Sequence, residues 1–131
     1  MFRNQDRILV APGYDDVKRE HFFRPLGGAL EAGESAIEAL RREIHEELGV
    51  SIENPVQLGV LDNQFIYRGA HGHETVFVFD AAFADPQLYA SPNMPILEAG
   101  WDGPARWLNL KDPFPAPLYP NGLTALLGRS A

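Results

Sequence analysis

Three glutamates, Glu43, Glu46 and Glu47, occupy positions i, i+3 and i+4 of one segment, directly after Arg42. At about 100° of rotation per helical residue they span roughly 100° of surface, so a helix here presents three carboxylates on one face. Like charges at this spacing repel, by a few tenths of a kcal/mol per exposed pair and by more when partly desolvated. A hard divalent cation such as Mg²⁺ takes oxygen ligands, so it turns that repulsion into coordination and holds phosphate oxygens of a substrate as well. The plain alternative is an exposed acidic helix with no ligand. Arg42, one turn before Glu46 and one turn after Glu38, is placed to orient Glu46 or to join a wider ion-pair network.

The carboxylates need a rigid helix beneath them, and residues 35–48 supply its pattern. Ile37, Leu40, Ile44 and Leu48 recur at spacings of three, four and four, an apolar stripe roughly 60° to 140° from Glu43. Ser35 with Glu38 matches a capping box, and Gly49 suits the left-handed residue after the last turn. Ala39 lies under the carboxylates and leaves space for an approaching group. The loop before the helix, Gly27-Gly28-Ala29-Leu30-Glu31-Ala32-Gly33-Glu34, has glycines that let backbone atoms come close to a ligand or metal.

The remaining elements read as a strand-rich frame. Ile8 to Ala11 and His21 to Arg24 are short strands. Val56 to Arg68 and Glu74 to Phe83 flank the turn-like Gly69-Ala70-His71-Gly72-His73, which predicts a hairpin with a five-residue connection. Its second arm is apolar without clean alternation, as in a central strand covered on both faces. Ala105 to Leu110 is a last strand, and Asn121 caps a short helix through Leu123, Leu126 and Leu127. The sum is an α/β sandwich.

Composition narrows the chemistry further. A chain of 131 residues with 45% hydrophobic residues fits one domain, residues 1–131. Eleven basic against eighteen acidic residues leave a net charge of −7, which disfavours a surface for a nucleic acid polymer. The absence of cysteine excludes disulfides, thiolate nucleophiles and thiolate metal sites. The first residues hold an apolar run too short for a signal peptide, and no stretch approaches a membrane span, so a cytoplasmic protein is expected.

The stretch Gly28 to Val50, GALEAGESAIEALRREIHEELGV, resembles the signature of the Nudix hydrolases. It has Gly28, five residues, Glu34, seven residues, and then Arg42-Glu43-Ile44-His45-Glu46-Glu47-Leu48-Gly49-Val50. With its constrained positions at ordinary residue usage, an accidental match is on the order of 10⁻⁹ per window. The flanking strand, hairpin and tryptophan-bearing strand are similar to the family's α/β/α sandwich around a mixed β-sheet. The resemblance implies hydrolysis of the diphosphate linkage in a nucleoside diphosphate derivative, such as a nucleotide, a nucleotide sugar or a dinucleoside polyphosphate, with Mg²⁺ or Mn²⁺ as cofactor. By the family pattern Glu43, Glu46 and Glu47 hold metal with the carbonyl of Gly27, Arg42 completes the catalytic set, and Glu34 and Gly28 support the loop. The general base is either Glu46 or Glu47, or an acidic residue outside the box: Glu74, Glu98 or Asp102. The competing reading is a silent nucleotide-binding module on the same fold, against which the intact glutamate trio counts.

Arg24, Tyr67, His73, Glu74 and Trp101 are the residues expected to face substrate. Tyr67 has a placement similar to the tyrosine of members acting on dinucleoside polyphosphates. Neither Phe65 nor Ile66 supplies the proline of ADP-ribose pyrophosphatases, and the signature of NADH-cleaving members is missing. His71, His73 and Glu74 read either as hairpin-loop residues or as a small transition-metal cluster. His45 should face solvent. Trp107 suits core packing, and Trp101 suits either core or nucleobase stacking. Phe22 and Phe23 alternate along a strand, so one should be core and the other open to a cleft. A homodimer is the base-rate expectation.

Overall fold

The computed structural model describes residues 1–27 and 30–130, with the side chains of residues 129 and 130 left aside. Its elements are β1 (Arg3–Asn4), β2 (Arg7–Asp15), β3 (Glu20–Pro25), α1 (Ala36–Leu48), β4 (Ile52–Tyr67), β5 (Ala70–Phe83), a 3-10 turn (Pro86–Ala90), β6 (Asn93–Met94), β7 (Ala105–Asn109) and α2 (Leu123–Ser130). No helix among the described residues is long and apolar enough to cross a membrane.

β2 is the strand around which the rest assembles. One edge pairs with β1 and then, from Val10↔Pro25 to Asp15↔Glu20, with β3; the other pairs with β7, and β6 lies beyond. These ladders are antiparallel, and parallel pairing enters at the bridge between Phe23 and Leu118. Ile8, Leu9, Val10 and Ala11 are fully buried because both faces of the strand are covered. Ile8 and Val10 pack with Phe23, Leu118 and the α2 residues Leu123, Leu126 and Leu127. Leu9 and Ala11 pack with Phe2, Phe83 and the α1 residues Ile44 and Leu48. Helices on opposite faces of a sheet make the α/β/α sandwich.

β4 and β5 form a hairpin sheet of their own. Met1 links it to the rest: its amine donates to the carbonyl of Phe79, and its carbonyl accepts from Ala81 at 3.0 Å. The hairpin corrects two expectations. Its connection is two residues, Arg68 and Gly69, with Tyr67 opposite Ala70. Both turn residues have positive φ, 50° and 80°, the conformation that matches the twist of a tight hairpin. His71, Gly72 and His73 therefore belong to β5. That strand is covered on both faces only from Val78 onward; before it, exposed and half-buried residues alternate.

α1 begins and ends as expected. Ser35 Oγ accepts from the Glu38 amide, Glu38 returns a bond to the Ser35 amide, and Gly49 closes the helix at φ 70°. The buried face is rotated from the expected stripe. Ala39, Ile44, Glu47 and Leu48 are buried, an arc from about −40° to about 140° around Glu43 that takes in the direction of Glu47. Ile37, in the first turn, is 41% exposed. Ala39 is packed and offers no opening.

Candidate active site

The rotation of α1 splits the glutamate trio. Glu43 is half-buried and Glu46 exposed, whereas Glu47 is 2% exposed, its Oε2 without a hydrogen-bond partner among the described residues. Burial, then the charges of Glu98 and Glu43, push the Glu47 carboxyl up to about 8; the backbone N–H of Gly27 and the charge of Arg24 pull the other way without offsetting it. Gly27 holds φ 138°, a backbone that side-chain-bearing residues rarely adopt.

A residue from outside the helix completes the cluster. Carboxylate oxygens of Glu43, Glu46 and Glu98 lie within 4.8 Å of one another. Glu98 arrives on the loop after β6, which is tied down where the Leu97 amide donates to the Glu47 carbonyl at 2.7 Å. Its carboxyl is raised as well, by burial and then by the charges of Glu43 and Glu46. In the sequence Glu98 stands out only as a candidate proton acceptor, because a lone acidic residue in a loop has no spacing to mark it as a ligand.

Arg42 organises the helix and the loop before it. Its Nε and Nη2 grip the two oxygens of Glu34, its Nη1 reaches Glu43 at 2.6 Å and Glu46 at 3.3 Å, and Glu31 lies 3.5 Å away. The bond to Arg42, with the Glu31 amide second, holds the Glu34 carboxyl below the ordinary range. Arg42 thus bonds Glu34 across the loop and the helix; Gly28 lies outside the described residues.

Beside the acidic cluster opens a cleft of about 1040 Å³, lined in part by Glu98, Arg24, Phe22, Tyr67, His73 and Trp101. Phe23 enters the core at 2% exposure while its neighbour Phe22 faces the cleft, as strand alternation requires. The ring of Phe22 lies against Gly13, where a Cβ would approach it to 2.3 Å, and meets Tyr67 edge-on at 5.9 Å. Trp101 both lines the cleft and packs on the α1-side core. Glu74 bonds Arg24 and Asn63, and His73 pairs with Asp62, so no His-Glu metal cluster forms there among the described residues. Asp102 pairs with His21 at 3.2 Å. Trp107 packs beside the core and donates to the Ser91 carbonyl at 2.8 Å, and His45 is exposed.

A sheet with helices on both faces, one of which carries the acidic cluster, makes this an α/β/α protein with a candidate cation site. The family model of the NUDIX domain matches residues 1–124, and the chain belongs to that family. Solved structures that share the fold include the following three. A MutT NUDIX hydrolase from Burkholderia pseudomallei aligns at 25% identity over 96% of this chain and 90% of its own, TM-score 0.67. A NUDIX hydrolase from Nitrosomonas europaea aligns at 23% identity over 83% and 68%, TM-score 0.59. The E. coli ORF135 protein aligns at 19% identity over 98% and 81%, TM-score 0.58.

Proposed function

We propose that the protein is a hydrolase of the diphosphate linkage in nucleoside diphosphate derivatives, working with Mg²⁺ or Mn²⁺ in the cytoplasm. The observation that carries this reading is the gathering of Glu43, Glu46 and Glu98 at the rim of an aromatic-lined cleft. A set of carboxylate oxygens, with the unpartnered Oε2 of Glu47 behind it, fits a hard divalent cation, and neither thiolate nor imidazole competes within it. Glu43, Glu46, Glu47 and Glu98 would hold the ion, with the Gly27 backbone beside them. When bound, the ion neutralises diphosphate oxygens and makes water a stronger nucleophile near neutral pH.

The chain's own residues do the rest. Arg42 keeps Glu43 and Glu46 aimed together and couples them to Glu34 in the loop. Among the acidic residues outside α1 that the sequence offers, Glu98 reaches the cluster, whereas Asp102 and Glu74 are engaged by His21 and Arg24. Phe22, Tyr67 and Trp101 offer rings on which the nucleobase stacks, excluding water from that end of the cleft.

The test is a screen of nucleoside diphosphate derivatives with Mg²⁺ or Mn²⁺, following phosphate after phosphatase coupling. Turnover in the wild type, lost in Glu46→Gln, supports the reading. Tight binding of the same compounds with no turnover under any metal makes the protein a binding module instead.

A further inference from the structure

Arg24 sits between the two ends of the cleft. On β3 it shares a face with Phe22, two residues back, and the chain then runs to Gly27, whose backbone N–H meets Glu47. A ligand stretched from the aromatic wall to the acidic cluster passes this guanidinium. Left to itself, a flexible arginine whose charge reaches Glu47 would swing onto the carboxylates and compete with the cation. It is held elsewhere: Nη2 donates to Glu74 Oε1 at 2.7 Å, and the same oxygen accepts Asn63 Nδ2 at 2.9 Å. Asn63 faces Glu74 directly across the β4–β5 ladder and is 7% exposed, so packing fixes its amide. The other N–H groups of Arg24 have no partner among the described residues and stay available to an anion.

We propose that Glu74 and Asn63 are positioning residues, which hold the Arg24 guanidinium against the phosphate nearest the nucleoside of the substrate. The proposal rests on the hydrolase reading above. A charge-assisted bond fixes one corner of the planar fork, and the free edge keeps the geometry that matches phosphate oxygens. Glu74 thus acts through Arg24 and does not itself touch substrate.

The probe is α,β-methylene-ADP with Mg²⁺, its affinity measured by calorimetry in the full chain. Arg24→Ala and Glu74→Ala each weaken binding about tenfold or more, and the double variant is no weaker than Arg24→Ala alone, because the two residues act as one unit. With the derivative that the screen finds to be hydrolysed, KM in Glu74→Ala rises by a similar factor while kcat falls less. A merely structural glutamate would lower Tm, and its effect would add in full to that of Arg24→Ala; that result, or unchanged affinity in Glu74→Ala, overturns the proposal. Should Glu74→Ala not fold, Glu74→Gln keeps the volume and one oxygen acceptor, loses about threefold in affinity by removing the charge, and overturns the proposal if it binds as the wild type does. Hydrolysis by the wild type with unaffected variants removes only the positioning role. A wild type that neither binds the analogue nor hydrolyses any derivative removes the hydrolase reading and this role with it.

Discussion

Arg42 holds both oxygens of Glu34 at once, Nε to Oε2 at 2.8 Å and Nη2 to Oε1 at 2.9 Å, and so ties the loop before α1 to the helix that follows. A lysine keeps the charge and loses the fork. Arg42→Lys should therefore lower turnover about tenfold to a hundredfold, the usual effect of disturbing groups that orient ligands. Steady-state rates across a Mg²⁺ titration check this. A rate at saturating metal equal to that of the wild type would remove Arg42 from the site.

Glu98 comes from a loop and meets Glu43 and Glu46 across space. If all three share one ion, Glu46→Gln and Glu98→Gln each lower turnover on the order of a hundredfold while the fold survives, since neither side chain is part of the core. Near-ultraviolet circular dichroism verifies folding, and calorimetry of Mn²⁺ binding verifies the loss of a ligand. Wild-type metal affinity in Glu98→Gln would place the ion on the helix alone.

Glu47 makes stability depend on pH in the absence of metal. Its folded carboxyl titrates at about 8 against an ordinary 4.5, so the folded chain binds the extra proton. That contribution is complete below the ordinary value and is lost as pH rises through the folded one. The slope is about 1.4 kcal/mol per pH unit within the window, roughly 3–5 kcal/mol in all. Urea unfolding in EDTA should show the wild type weakening from pH 5 to pH 9 relative to Glu47→Gln; the difference between the two isolates Glu47 from other groups that titrate there, the Met1 amine included. Mg²⁺ at pH 9 should restore stability to the wild type. Parallel pH curves for the two proteins would refute the assignment.

Asp15 ties two turns together. Its Oδ1 accepts the amides of Val17 and Lys18, and its Oδ2 accepts that of Arg68 in the β4–β5 turn. Burial opposes its charge, yet these bonds together hold its carboxyl below the ordinary range. Stability from this source is present above the ordinary carboxylate pKa and is lost as pH falls through the lowered one. Asp15→Ala should lower Tm by several degrees and release the hairpin tip that carries Tyr67 beside the cleft. In thermal melts the gap between the two proteins should be smaller at pH 3 than at pH 7; an equal gap at both would contradict the account.

The local features of this chain are written in its sequence because they depend on neighbours a few residues apart. The Ser35–Glu38 box, the left-handed Gly49, the apolar run Ile8 to Ala11 and the alternation of Phe22 and Phe23 all appear where residue type and spacing put them. Helical period also placed Glu43, Glu46 and Glu47 on neighbouring directions of α1. Which of those directions faces protein is a matter of what packs there, and no periodicity within α1 contains it. The sheet and the loop after β6 close over Glu47 and leave Glu46 in the open, so one carboxylate of the trio becomes a buried, proton-binding group. The same long-range packing delivers Glu98 to the cluster and sets Glu74 on Arg24. Those contacts join residues far apart in the chain, whose meeting depends on the path of loops and strands between them and leaves no mark on local spacing.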